Sequence, residues 1–144
     1  MSLYRGMVIA NLLFALGNYC QKNPVGRALA KASYNVENDA QFEQTPALSF
    51  ITREKPLTNE GAAPYMPILA VEVQSEDQSD KLLADKAAYY LAHGSRMVWL
   101  VYPTKQLIEV RTLNNRFLLG QADTLTGGDV LSNFELSVGD IFAE

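Results

Sequence analysis

Hydrophobic residues fall in two distinct rhythms along the chain, and the change from one to the other marks out the elements. From Tyr4 to Asn23, Met7, Val8, Leu12, Leu13, Leu16 and Tyr19 recur at spacings of three and four. That periodicity puts them on one face and predicts an amphipathic core helix that ends before Pro24 and Gly26. Arg27 to Val36 alternates instead, with Ala28, Ala30, Ala32, Tyr34 and Val36 on one side, which predicts a half-buried strand followed by a turn at ENDAQ. Pro46 to Thr52 (PALSFIT) reads as a short strand, and the following TREKPLTNEGAAPYMP carries the Pro, Gly and Asn of a surface loop.

Ile68 to Val73 (ILAVEV) is the most continuous apolar run and predicts a central strand with a single charge, Glu72. Asp77 to His93 predicts a helix that Ser79 can cap, with Leu82, Leu83, Lys86, Tyr90 and Leu91 as its stripe and Gly94 as its stop. Met97 to Val101 (MVWLV) predicts a second buried strand. Gln106 to Thr112 and Arg116 to Gly120, flanking Asn114 and Asn115, predict an antiparallel hairpin. The tail LTGGDVLSNFELSVGDIF predicts one or two short edge strands and a closing helical turn. This order implies an α/β fold, a central mixed β-sheet flanked by helices.

Composition narrows the reading. The 144 residues, 48% hydrophobic, suit a single domain over 1–144 with one sizeable core. A formal charge of −4 and a pI near 5.0 give no overall attraction for a polyanion, so any DNA contact needs a local basic patch. Arg5, Lys22, Arg27 and Lys31 make the N-terminal part mildly basic, and a solvated surface is the simpler account of them. MVIANLLFAL is far shorter than the roughly 20 residues of a membrane span and lacks the context of a signal peptide, so a cytoplasmic protein is expected. Cys20, the only cysteine, lies in an apolar setting and reads as a packed thiol in a reducing compartment. One Cys and one His exclude a zinc cluster. TGGD and VGDIF lack the spacing of a phosphate loop, and nucleophile-elbow and kinase signatures are missing. No small-molecule substrate is indicated.

Glu72 is the anomaly, because an unpaired carboxylate in an apolar strand is costly to bury. A metal or a lysine would explain it, and so would a solvated position at the strand's end. Lys86 shares the stripe of Leu82, Leu83 and Tyr90, so its ammonium can reach toward Glu72. Its role is then either charge stabilisation in a reaction or a plain salt bridge.

Residues 67–103, PILAVEVQSEDQSDKLLADKAAYYLAHGSRMVWLVYP, carry a pattern of Glu72, Val73, Ser75, Lys86, Tyr90, Gly94, Val98, Trp99 and Pro103. This pattern resembles the core of a bacterial family of restriction-endonuclease-like proteins (Uma-type) within the PD-(D/E)XK nuclease superfamily. DVLSNFELSVGDIF is similar to that family's usual ending. The resemblance implies a restriction-endonuclease-like fold and Mg²⁺-dependent DNA phosphodiester hydrolysis. In such a site, two carboxylates from adjacent strands hold the metal and a lysine stabilises the charge at phosphorus. It makes Glu72 the metal ligand and, because Gln74 stands at the usual lysine position, Lys86 the charge stabiliser.

One departure bears on that chemistry. Where the family shows Pro-Asp, Pro46 is followed here by Ala47, which cannot ligate a metal. The nearest replacements are Glu43, Asp39 and Glu37, with Glu43 the best placed. Family members also carry a glutamate ahead of the first long helix, so the resemblance implies a shortened member with a degenerate site. Ser75 is expected to cap the next helix or support Glu72. Trp99 and Tyr90 are expected in the core, and His93 is expected at a helix C-terminus. Two functions stay open: a nuclease with impaired catalysis, and a non-catalytic module binding nucleic acid or protein on the same fold. The apolar strands PALSFI, ILAVEV and MVWLV, read as having exposed edges, also suggest a homodimer.

Overall fold

The computed structural model describes residues 2–144. Ser2 caps the first helix, α1 (Leu3–Lys22), by accepting from the backbone N–H of Arg5 at 3.1 Å. Of the predicted stripe, Val8, Leu12 and Leu16 are fully buried, while Met7, Leu13 and Tyr19 pack at its margin. There follow β1 (Gly26–Ala30), a 3-10 turn (Ala40–Phe42), β2 (Leu48–Thr52), β3 (Leu69–Val73), α2 (Asp80–Ala92) and β4 (Met97–Tyr102). The chain closes with β5 (Leu107–Arg111), β6 (Arg116–Leu119), β7 (Thr124–Gly127), β8 (Leu131–Ser137) and the short α3 (Val138–Phe142).

Six strands form one sheet in the order β1-β2-β3-β4-β5-β6, and β7 and β8 form a separate ribbon. Only β3 and β4 run parallel, joined by α2 as the crossover; every other neighbouring pair in the sheet is antiparallel. The mixed sheet and its helices bear out the α/β expectation. The alternation of side chains then divides the interior into two layers. Leu69, Val71, Val73, Trp99, Val101, Ile108 and Val110 face α1, α3 and the ribbon. Ala70, Val98, Leu100 and Tyr102 face Leu83, Ala87 and Tyr90 of α2.

Some expectations need correction. The first strand ends at Ala30, not Val36, because Lys31 turns into the left-handed region at φ 53°. Tyr34 is instead held by isolated bridges to Gln44 and Ala63, and its hydroxyl meets Ser49 Oγ at 2.6 Å inside the core. Leu82 is 41% exposed, since the buried face of α2 is centred on Leu83, Ala87 and Tyr90. The strands read as having exposed edges, β2, β3 and β4, are interior, each bonded on both sides. The outer strands of the sheet are β1 and β6.

Candidate functional site

β3 is buried along its whole length, and its alternation turns Glu72 toward α2, where it is only 4% exposed. Two residues of α2, one turn apart, meet it there. The Tyr90 hydroxyl donates a short hydrogen bond to Glu72 Oε2, and Lys86 Nζ lies 3.8 Å from Oε1. Ser79 Oγ accepts from Leu82 N–H at 3.1 Å and fixes the start of this helix. Burial pushes the Glu72 carboxyl above the ordinary carboxylate range, and the Tyr90 hydroxyl, Lys86 and Arg5 partly offset that push. Burial, with Glu72 beside it, likewise holds the Tyr90 hydroxyl far above its usual range.

The residues named from sequence separate into two groups. Glu72 and Lys86 are brought together, and Tyr90 joins them through its hydroxyl. Arg5 is engaged at the same end of β3, where Nε and Nη2 donate to Val73 O at 3.0 and 2.7 Å, so it is not simply solvated. Arg27 similarly donates to Lys55 O at 3.2 Å. Gln74 donates to Asp80 Oδ1 at 2.7 Å, and Ser75 donates to Asp77 Oδ1 at 2.6 Å; Ser79, not Ser75, caps α2. Trp99 is fully buried with Nε1 donating to Met97 Sδ, and His93 stacks on Tyr89 as the C-cap of α2. Cys20 is half-buried, and burial pushes its thiol up, which suits an inert side chain.

The carboxylates nearest in sequence to the missing aspartate have other engagements. Asp39 caps the 3-10 turn through Gln41 N–H at 3.1 Å, Glu37 accepts from the Tyr89 hydroxyl, and Glu43 is exposed at the end of that turn. β2 pairs with β3 from Leu48↔Val71 to Phe50↔Leu69, so the pairing stops one residue short of Glu72, and the Ala47 carbonyl accepts from Lys31 N–H at 3.1 Å instead. Ala47 is half-buried against the α1-side core.

A hard divalent cation requires several oxygen ligands in near-octahedral array, at roughly 2.0–2.1 Å for Mg²⁺. Here one carboxylate oxygen takes the tyrosine hydroxyl and the other faces an ammonium. Among the described residues no three His, Cys, Asp or Glu side chains are grouped to hold a metal ion. This donor set does not fit a magnesium site. A groove of about 710 Å³ lies elsewhere, between the β5–β6 hairpin and the ribbon, and does not include Glu72, Lys86 or Tyr90.

Three buried polar residues, Ser49, Ser95 and Glu109, were not anticipated. Glu109, 8% exposed, is held by Arg111 at 2.8 Å and Arg116 at 3.1 Å. Glu109 between Ile108 and Val110, with Arg111 two residues on along the strand, was the available signal. Tyr34 and Ser49 gave no comparable signal, because both residue types are ordinary in strands.

No helix of the described residues is long and apolar enough to cross a membrane. No curated protein matches the chain. Among solved structures, a putative nuclease from Anabaena variabilis superposes with a TM-score of 0.84 at 18% sequence identity, over 99% of this chain and 82% of that one. At such identity the likeness shows a shared fold. A family profile described as "Putative restriction endonuclease" matches residues 5–139. On that match, which spans nearly the whole sequence, the chain belongs to the Uma-type family of putative restriction endonucleases.

Proposed function

We propose that this chain is a single restriction-endonuclease-like domain in which magnesium-dependent phosphodiester hydrolysis has lapsed, and that it works in the cytoplasm as a non-catalytic binding module. The observation that carries this reading is the closure of Glu72. Its oxygens are met by Tyr90 and Lys86, and the position after Pro46 is Ala47, which packs against the α1-side core and has no oxygen to offer a metal. In the ancestral chemistry Glu72 would have been a metal ligand and Lys86 the charge stabiliser. In the present arrangement the Lys86 ammonium stands 3.8 Å from Glu72 Oε1. An ammonium there opposes entry of a second cation.

The acidic balance of the chain favours a protein partner over DNA, since phosphate contacts supply most of the affinity of DNA-binding proteins.

The test is calorimetric titration of Mg²⁺ and Mn²⁺ into the native chain, Glu72→Ala and Ala47→Asp, with nicking of plasmid and single-stranded DNA assayed alongside. The native chain is expected to bind neither ion at submillimolar concentration and to leave DNA intact, with weak binding gained in Ala47→Asp. Submillimolar binding by the native chain that disappears in Glu72→Ala, accompanied by nicking, would overturn the reading.

A further inference from the structure

The apolar row across the sheet does not end where the sheet ends. Val71, Trp99, Val110 and Phe117 are consecutive register partners on the α1 side, with exposures of 0%, 0%, 7% and 54%. The row therefore reaches the outer strand β6 and stops at a half-exposed aromatic. Leu118, on the other face of β6, is 63% exposed, and Leu113 in the hairpin turn is 73% exposed.

The backbone of β6 has a free side. Thr112 N–H donates to Asn115 O at 3.0 Å, and the register continues through Val110↔Phe117 and Ile108↔Leu119. Asn115, Phe117 and Leu119 therefore turn their backbone groups toward β5, while Arg116 and Leu118 turn theirs outward. An outer strand with two such residues and apolar side chains on both faces is a template for another strand.

We propose that β6 pairs antiparallel with β6 of a second copy of this chain, about a two-fold axis at Phe117, joining the two sheets. Three registers bring the outward groups into phase, and two of them fail. Centring on residue 116 sets Arg116 directly against Arg116 of the second copy, which like-charge repulsion disfavours. Centring on residue 118 requires the N–H of Gly120, which already donates to Asp123 Oδ2 at 2.7 Å.

Centring on Phe117 pairs Arg116 with Leu118 of the second copy, twice by symmetry. It leaves the bond of Arg116 to Glu109 in place and sets the two Phe117 rings side by side, so the apolar row runs unbroken through both molecules. So short a contact falls at the low end of interface sizes, below about 1,200 Å², and the dimer is weak and concentration-dependent.

The experiment has two arms, both on the full chain. Sedimentation equilibrium from micromolar to millimolar concentration is expected to show a monomer–dimer exchange. Phe117→Lys is expected to weaken it by at least ~10-fold, as loss of a central anchor does, with the circular dichroism spectrum unchanged.

The second arm uses single cysteines on a Cys20→Ser background. Phe117→Cys is expected to cross-link on mild oxidation, because facing residues of a non-hydrogen-bonded pair lie about 4.5 Å apart at Cα, within disulfide range. Leu118→Cys is expected not to cross-link, since its copies are offset by two residues and lie about 8 Å apart. A monomer at every concentration, or preferential cross-linking at 118, would overturn the proposal. The monomeric result would leave this edge to a strand from a different protein.

Discussion

Glu72 is a charge inside the protein kept there by two neighbours from one helix, and its energetics follow from what each neighbour does. Tyr90 gives the carboxylate a charge-assisted hydrogen bond in a place that water does not reach. Replacing it with phenylalanine should lower stability by about 1.5–3 kcal/mol, read from the urea midpoint at neutral pH. Lys86 acts through charge, so its loss should depend on pH. The folded-state pKa of Glu72 lies above its ordinary value, chiefly through burial, so the native state holds that proton more tightly than the unfolded chain. Ionising Glu72 therefore costs stability as pH rises through the folded pKa, and the cost is relieved as pH falls back toward the unfolded value.

Lys86→Met removes an offsetting cation and raises that pKa further. Its deficit in urea denaturation should be largest near pH 8 and shrink toward pH 5; a deficit independent of pH would refute the assignment. Both charged members of this group were legible in the sequence. Glu72 is a lone charge in an apolar run, and Lys86 shares its helix stripe. The hydroxyl of Tyr90 was not legible, because a tyrosine spaced with leucines reads as an apolar body, and only the direction of its ring says what the hydroxyl meets.

The elements themselves were read most reliably where local preference and burial agree. β3 and β4 lie within a residue of their expected limits because a run such as LAVEV or MVWLV, buried on both faces, suits a central strand. The hairpin of β5 and β6 was equally plain from its two asparagines. β1 was overread because alternation continues past Lys31, where the backbone turns away; a left-handed lysine leaves no mark in an alternation pattern.

The other end of that strand is set by a close approach. A Cβ on Gly26 would stand 2.3 Å from Ile51 O and 2.3 Å from Phe50 Cζ, so β1 can lie against β2 there only with glycine. Gly26→Ala should cost about 1–3 kcal/mol in thermal or urea denaturation, as overpacking a filled site does.

At the scale of the molecule, the sheet is graded from its centre to its rim. β3 and β4 are buried throughout, whereas β6 is exposed along most of its length. Hydrogen exchange of the native chain should be slowest in β3 and β4 and fastest in β6. The layered arrangement was readable from the order of the elements. The order of strands was not, because several neighbour arrangements bury the same apolar faces. That is why β2, β3 and β4 were expected to have open edges and prove to be interior.

The single parallel junction also divides the sheet into two antiparallel halves, β1-β2-β3 and β4-β5-β6, and α2 is the chain connection that crosses their seam. The β4-β5-β6 half can zip from short turns, whereas β1, β2 and β3 are joined by the long connections 31–47 and 53–68, so the seam is where a locally formed piece must be aligned with one closed by long loops. A slip of one residue in β3 would send Glu72 to the α1 side, among Trp99 and Val101, with no hydroxyl or ammonium to meet it. The acidic side chain on β3 thus works as a proofreading device in assembly: the correct alignment is the one that finds Tyr90 and Lys86, and the wrong ones strand a bare charge in hydrocarbon.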